Sequence, residues 1–176
     1  MAAFVALLRA VNVGGTGKLV MADLVTLCEK AGFKGAKTYI QSGNVVFESS
    51  ASEARVKAAL EKALASKLGK PVGVLLRSGA ELDRVLAGNP FKKAPPNRVI
   101  VLFLDEPPAA DALAGVKAPG GEELVLRGRE LYIHYPVGLG VSKLKVPLAK
   151  VGTGRNLNTV AKLAEMARAR TRGAGG

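Results

Sequence analysis

The run Phe4-Val-Ala-Leu-Leu-Arg9 is apolar without a break until its last residue, which predicts a central strand covered on both faces. Met21, Leu24, Leu27, Cys28 and Ala31 then fall at helical spacing, and Gly32 stops that helix. Thr38-Tyr-Ile-Gln41 and Val45-Val-Phe-Glu48 flank Ser42-Gly43-Asn44, the pattern of two antiparallel strands around a turn. Ser50-Ala-Ser-Glu53 fits a capping box, opening a helix with Val56, Leu60, Leu64 and Leu68 inward. Val72 to Arg77 closes the series as another strand. The order is β-α-β-β-α-β, the split β-α-β arrangement of ferredoxin-like domains.

The pattern then begins again. Ser78-Gly-Ala-Glu81 starts a short helix carrying Leu82, Val85 and Leu86, and Pro90, Pro95 and Pro96 mark a connector. Arg98 to Leu104 is a second buried strand, and Asp111 to Val116 is read as a short helix. Glu123 to Arg127 and Glu130 to Tyr135 form a hairpin around Gly128-Arg129. The next helix is capped by Ser142 or starts at Pro147, where a missing N–H costs little. Asn156 or Asn158 caps a last helix through Val160, Leu163, Ala164 and Ala167. The expected fold is α+β: two ferredoxin-like lobes with mainly antiparallel sheets and a C-terminal helix. Residues 1–77 form the first lobe, 78–96 a helix and proline-rich connector, and 97–176 the second lobe with its basic C-terminal helix.

Composition adds a partner class. The 176 residues are 48% hydrophobic, enough for a true core, and no apolar run reaches the length of a membrane span. The N-terminus has no signal-peptide pattern, so a cytoplasmic protein with no membrane partner is expected. The single cysteine, Cys28, allows no internal disulfide and is placed in the core by its spacing from Leu24 and Ala31. With one histidine, His134, and one cysteine, no metal site and no cofactor are expected. His134 shares a strand face with Tyr132 and reads as a half-exposed strand histidine. Against 14 acidic residues stand 26 Lys and Arg, giving a net charge of +12. Between Lys143 and Arg172 lie eight basic residues and one acid. Such a field attracts an anionic ligand, a nucleotide or a nucleic acid, although the absence of Trp leaves little for base stacking.

Three loops are candidates for that ligand. Asn12-Val-Gly14-Gly15-Thr-Gly17-Lys18-Leu19 nearly spells a phosphate loop. It has Asn12 where the first glycine belongs and Leu19 where a hydroxyl should hold magnesium. The hairpin reading of Thr38 to Glu48 also lacks the parallel strands such enzymes need. The loop can still turn backbone N–H groups toward an oxyanion, with Arg9 and Lys18 supplying charge, or it is a plain glycine-rich turn. Gln41-Ser42-Gly43-Asn44 is a polar hairpin tip. Tyr135-Pro136-Val-Gly138-Leu-Gly140-Val-Ser142-Lys143 and Gly152-Thr-Gly-Arg155-Asn156-Leu-Asn158-Thr159 each lead glycines into a predicted helix start. Capping explains Ser142 and Asn156, but Lys143 and Arg155 sit where the helix dipole disfavours cations, which points to a ligand.

The segments LLRAVNVGG (7–15), TYIQSGNVVF (38–47), NPF (89–91), YIHYPVGLGVSKL (132–144) and TGRNLNTVAKL (153–163) together resemble the bacterial domain-of-unknown-function family 1697. The resemblance spans nearly the whole chain and implies a compact α+β protein with ferredoxin-like character, and no activity. The family's recurrent positions fall on Arg9, Asn12, Gly14, Gly15, Gln41, Ser42, Gly43, Asn44, Tyr135, Pro136, Ser142, Lys143, Arg155, Asn156 and Thr159. Ala10 stands where the family often has Gly, Leu157 where an aromatic is common, and Pro147 disturbs the helix after Ser-Lys-Leu.

The leading expectation is therefore a protein that binds a phosphate-bearing ligand. Arg9, Lys18, Lys143, Arg155 and Lys162 would supply charge, Gly14, Gly15 and Gly43 backbone donors, and Asn12, Gln41, Ser42, Asn44, Ser142, Asn156 and Thr159 polar contacts. The alternatives are an enzyme for a small anionic substrate, using Ser42 or Lys143, and a basic scaffold for an acidic protein.

Overall fold

The computed structural model describes residues 1–9, 19–39 and 43–174, with side chains through Arg170. By internal contacts the chain divides into two compact units, Met1–Asp83 with Lys162–Gly176, and Arg84–Ala161.

In the first unit, strands β1 (Ala2–Leu8), β2 (Lys34–Thr38), β3 (Asn44–Ser49) and β4 (Val74–Ser78) form an antiparallel sheet in the order β2-β3-β1-β4. Helices α1 (Met21–Lys30) and α2 (Glu53–Leu68) connect the strands in the ferredoxin-like sequence. One face of the sheet, with Phe4, Ala6, Leu8, Val45, Phe47, Val74 and Leu76, packs with Leu24 and Cys28 of α1 and Val56, Leu60 and Leu64 of α2. Phe47 is the pivot, stacked on Phe33 at 4.5 Å and tilted against Phe4 at 6.2 Å. The opposite face is buried too: Val5, Leu7, Val46, Leu75 and Arg77 are all shielded from solvent.

The helix ends follow from local chemistry. After α1, Phe33 N–H bonds to the Cys28 carbonyl and Gly32 N–H to the Glu29 carbonyl, while Gly32 takes φ +88°. This is a Schellman stop, and glycine supplies the left-handed residue it needs. Ser52, rather than Ser50, caps α2 by accepting the Arg55 N–H. The cap expected at Ser50 therefore lies two residues later and is a single bond rather than a box, because the helix begins only at Glu53 and Arg55 at the third position cannot accept in return. Helix α3 (Gly79–Ala87) has a full reciprocal box, with Glu81 N–H on Ser78 Oγ and Ser78 N–H on Glu81 Oε1.

In the second unit, β5 (Val99–Phe103), β6 (Glu123–Arg127), β7 (Glu130–His134) and β8 (Thr153–Asn156) pair antiparallel in the order β6-β7-β5-β8. This is the order of the first sheet, strand for strand. The two crossover helices are missing, however. The helix expected over Asp111–Val116 is a chain of tight turns with i to i+3 bonds, ended by Gly115 at φ +78°. Pro107 and Pro108 remove donors ahead of it, and glycine inside it favours turning over propagation. The helix expected after Ser142 is reduced to a 3-10 turn, Pro147–Lys150, with proline at its start. Extended chain does the covering instead: Leu113, Leu144, Val146 and Leu148 pack on Leu102, Leu104, Leu131 and Ile133. Helix α4 (Leu157–Ala174) follows β8, as α3 follows β4.

The duplication extends to single residues. Val5 pairs with Arg77 across β1 and β4, and Val101 pairs with Arg155 across β5 and β8. Both arginines are buried, and each donates from Nη1 to the carbonyl of the residue before it. The next residue caps a helix in both cases: Ser78 for α3, and Asn156, whose Oδ1 accepts the Thr159 N–H at 2.9 Å, for α4. In the first unit the later part of α4 meets the start of α3, where Arg168 pairs with Asp83, and Arg170 reaches the Gly35 carbonyl.

β2 runs from Lys34 to Thr38, ahead of the strand expected at Thr38–Gln41. It is an edge strand, half exposed, whose lysines replace the apolar alternation that marks a core strand.

Two measurements check this packing. A Cβ at Gly152 would lie 2.6 Å from the Phe103 carbonyl oxygen and 2.9 Å from Leu104, whereas Gly140 has open space around it. Gly152→Ala is expected to cost about 1–3 kcal/mol in urea unfolding, and Gly140→Ala nearly nothing. The Cys28 thiol is fully buried and pushed up to about 12, chiefly by desolvation. A thiol-specific reagent at neutral pH should modify it only when the chain unfolds, with labelling tracking the denaturation curve.

Candidate functional site

The described part of the expected site begins where β1 ends. Leu8 N–H bonds to the Gly43 carbonyl and Arg9 N–H to the Gly73 carbonyl, each at 2.9 Å. Three chain segments thus meet at one end of the first sheet: the exit of β1, the start of β3 and the approach to β4. The stem of Arg9 lies over Gly73, its Cδ 3.1 Å from where a Cβ would stand, so a larger residue there would push the arginine stem aside. Gly43 takes φ +76°, a conformation that favours glycine. Asn44 is fully buried. Its Nδ2 donates to the Tyr39 carbonyl at 3.1 Å and its own carbonyl accepts the Tyr39 N–H, which ties the two arms of the hairpin together. The structure therefore brings Arg9, Gly43 and Asn44 together. Asn12, Gly14, Gly15, Lys18, Gln41 and Ser42 lie outside the described residues. Leu19, the residue in place of the magnesium-binding hydroxyl, is 1% exposed and belongs to the first core.

Ser142, Lys143, Arg155, Asn156 and Thr159 belong to the second unit. Ser142 does not start a helix; it ends the 3-10 turn Leu139–Val141 in extended geometry, so no helix dipole acts there. Its hydroxyl donates to Glu122 Oε1 at 2.7 Å and accepts the Leu144 N–H at 3.1 Å. Glu122 Oε2 takes the Gly120 N–H at 2.8 Å. Beyond Ser142 the chain alternates, with Leu144 and Val146 on the core and Lys143 and Lys145 exposed.

Arg155 is 8% exposed and donates to Thr153 Oγ1 at 2.6 Å and to the Gly154 carbonyl at 2.9 Å. Desolvation brings its guanidinium down to about 10, which leaves it cationic at neutral pH. Asn156 spends its side-chain oxygen on the α4 cap, and Thr159 is buried one turn later. Leu157, where the family often carries an aromatic, is 7% exposed and buried in the interior. Lys162 is exposed and pairs with Glu165 at 3.8 Å.

Three residues were not singled out from sequence. Arg77 is the largest fully buried side chain among the described residues, and its register match with Arg155 marks it. Tyr132 donates its hydroxyl to the Val85 carbonyl at 2.6 Å, and burial pushes it up to about 12. Its neighbour His134 is half-buried against the ring of Phe91 at 5.5 Å. Glu122, twenty positions upstream of Ser142, anchors the 135–146 segment, a partnership that no local spacing announces. Among the described residues no three His, Cys, Asp or Glu side chains are grouped to hold a metal ion, and no helix is long and apolar enough to cross a membrane.

The Glu122 carboxyl is held below its ordinary value, first by the Ser142 hydroxyl and then by its own and the Gly120 backbone N–H groups. A lowered carboxyl pKa stabilises the fold above the unfolded value and loses that contribution as pH falls through the folded value. Glu122→Gln should therefore flatten the acid limb of stability, losing less on going from neutral pH to about pH 3 than the parent chain does in thermal melts.

Known proteins agree with this architecture. The structure of the conserved bacterial protein SP0830 from Streptococcus pneumoniae is similar at TM-score 0.79 and 26% identity, covering 94% of this chain and 98% of that one. No curated protein gives a significant match. The model of the family described as "Protein of unknown function (DUF1697)" matches residues 1–132. The chain, with its paired antiparallel sheets, belongs to that family.

Proposed function

We propose that the protein binds a phosphate-rich polyanion, a single- or double-stranded nucleic acid, through distributed cationic contacts rather than in a closed nucleotide pocket. The observation that carries this reading is the division of labour among its polar side chains. Among the described residues, groups able to specify a nucleotide are engaged within the fold: Ser142 with Glu122, Asn156 with the α4 cap, Asn44 with the hairpin. Lysines such as Lys92, Lys93, Lys143 and Lys145 remain exposed. The charge excess is also shared. The first unit has 15 basic and 8 acidic residues, and the second 11 and 6.

Exposed lysines act as mobile point charges on flexible stems, suited to phosphate backbones and poor at reading bases. Each lysine that neutralises a phosphate releases a condensed counterion, so affinity depends steeply on salt. The scarcity of aromatics fits electrostatic holding without base stacking.

Filter binding with RNA and DNA strands of about 20 nucleotides tests this. About four phosphate contacts predict a loss of roughly fiftyfold in affinity to a single strand for a fourfold rise in salt, with little sequence preference. The double variant Lys143→Glu/Lys145→Glu should weaken binding and shallow the salt slope. No binding, or binding indifferent to salt, would overturn the proposal. A large thermal shift with one mononucleotide would replace it with a discrete pocket.

A further inference from the structure

The outer surface of the first unit carries a second feature. Helices α1 and α2 run antiparallel, since Lys67 near the end of α2 reaches Asp23 near the start of α1 at 3.5 Å. Their inner stripes, Leu24 and Cys28, and Val56, Leu60 and Leu64, are spent on the sheet. A helix lying on a sheet and facing water has polar residues on its outer stripe. Here the seam between the helices is apolar instead: Leu27 and Ala31, which also pack against the core, line a groove of about 540 Å³ with Ala59 and Ala63 of α2.

The floor is short-chained and its apolar residues are half exposed or exposed, so the groove is open along its length. Around it stand Lys30, Lys62 and Lys67. Asp23 answers Lys67, whereas Lys30 and Lys62 have no ionic or hydrogen-bonding partner among the described residues.

We propose that this groove receives an acidic amphipathic helix of a partner protein, its apolar stripe on the alanine floor and its carboxylates on Lys30 and Lys62. Small floor residues let a third helix approach at ordinary helix-packing distance. The α2 stripe from Ala59 to Lys67 extends over about 12 Å, which seats two turns or slightly more of an incoming helix. The rim chooses the charge: its three ammonium groups and one carboxylate repel a basic helix and attract an acidic one. An open trough between two helices also fits a rod better than a compact small molecule, which is normally enclosed on most sides.

The probe is a fluorescent peptide of about 14 residues, with leucines on one helical face and glutamates on the other. Its controls are a scrambled peptide of the same composition and a peptide with lysines in place of the glutamates. Anisotropy titrations of the full chain should show the acidic amphipathic peptide binding about tenfold or more tightly than the scrambled one. Ala59→Gln/Ala63→Gln should abolish that preference without changing charge. Lys30→Glu/Lys62→Glu should weaken the acidic peptide and gain binding of the lysine peptide. Circular dichroism establishes that both double variants are folded; the substituted side chains are exposed or half exposed, so little loss of fold is expected.

Equal binding of the scrambled peptide would reduce the effect to net charge and overturn the proposal. So would double variants that bind like the parent chain. Dodecanoate binding that Ala59→Gln/Ala63→Gln abolishes, without peptide binding, would assign the groove to an acyl chain instead. Salt-dependent RNA binding left intact in the alanine-floor variant separates failure here from failure of the polyanion reading.

Discussion

Both units rest on the same constraint: a central strand buried on both faces must find a hydrogen-bonding partner on each edge. β1 has β3 and β4, and β5 has β7 and β8, all antiparallel. Residues such as Val5, Leu7, Val101 and Phe103 are fully buried and bring no polar side chain to compensate an unpaired amide. A buried, unpaired N–H or carbonyl costs as much as several aliphatic contacts supply, so the edges must be closed. The fourth strand in each unit closes the last edge. It also delivers the chain to a capped helix, and the arginine before the cap lies in register with the valine of the central strand.

The two units solve the remaining burial problem differently. The first covers one sheet face with regular helices whose inner stripes repeat every four residues, as at Val56, Leu60 and Leu64. The second covers its face with extended chain and turns, so the covering residues alternate every two, as at Leu144, Val146 and Leu148. A period of two throws every other residue outward. That is why Lys143 and Lys145 are exposed while their neighbours build the core, and why the segment needs side-chain anchors. The Ser142–Glu122 bond and the Arg98 guanidinium on the Pro136 carbonyl pin it at two points.

Much of this was readable along the chain. β1, α2, β5 and the 123–135 hairpin have strong periodicity, and the α3 box and Asn156 cap are encoded within three residues of where they act. What escaped was set by tertiary context. β2 carries lysines because it is an edge, and edges are protected by charge rather than marked by apolar alternation. The Asp111–Val116 segment has helical composition but follows two prolines and contains a left-handed glycine. Arg77 could not be foreseen, because a buried arginine contradicts composition and is justified only by distant partners. For the candidate site, Arg9, Gly43 and Asn44 come together at one end of the first sheet, a juxtaposition set by strand pairing rather than by any local motif. The partners of Ser142 and Arg155 had to be seen in three dimensions.

The described residues that carry the family resemblance thereby separate into two groups by what their polar atoms do. Asn44, Ser142, Arg155 and Asn156 direct theirs inward, to a hairpin, an anchor, a strand end and a helix cap. A polar group buried with its partner contributes little net stability, but its loss leaves the partner exposed to the full desolvation cost. Such residues are therefore held by the fold whatever the protein binds. Lys143 stands between two of them and makes no inward contact, its ammonium in solvent. The polyanion binding proposed for this chain thus rests on charge the fold does not consume.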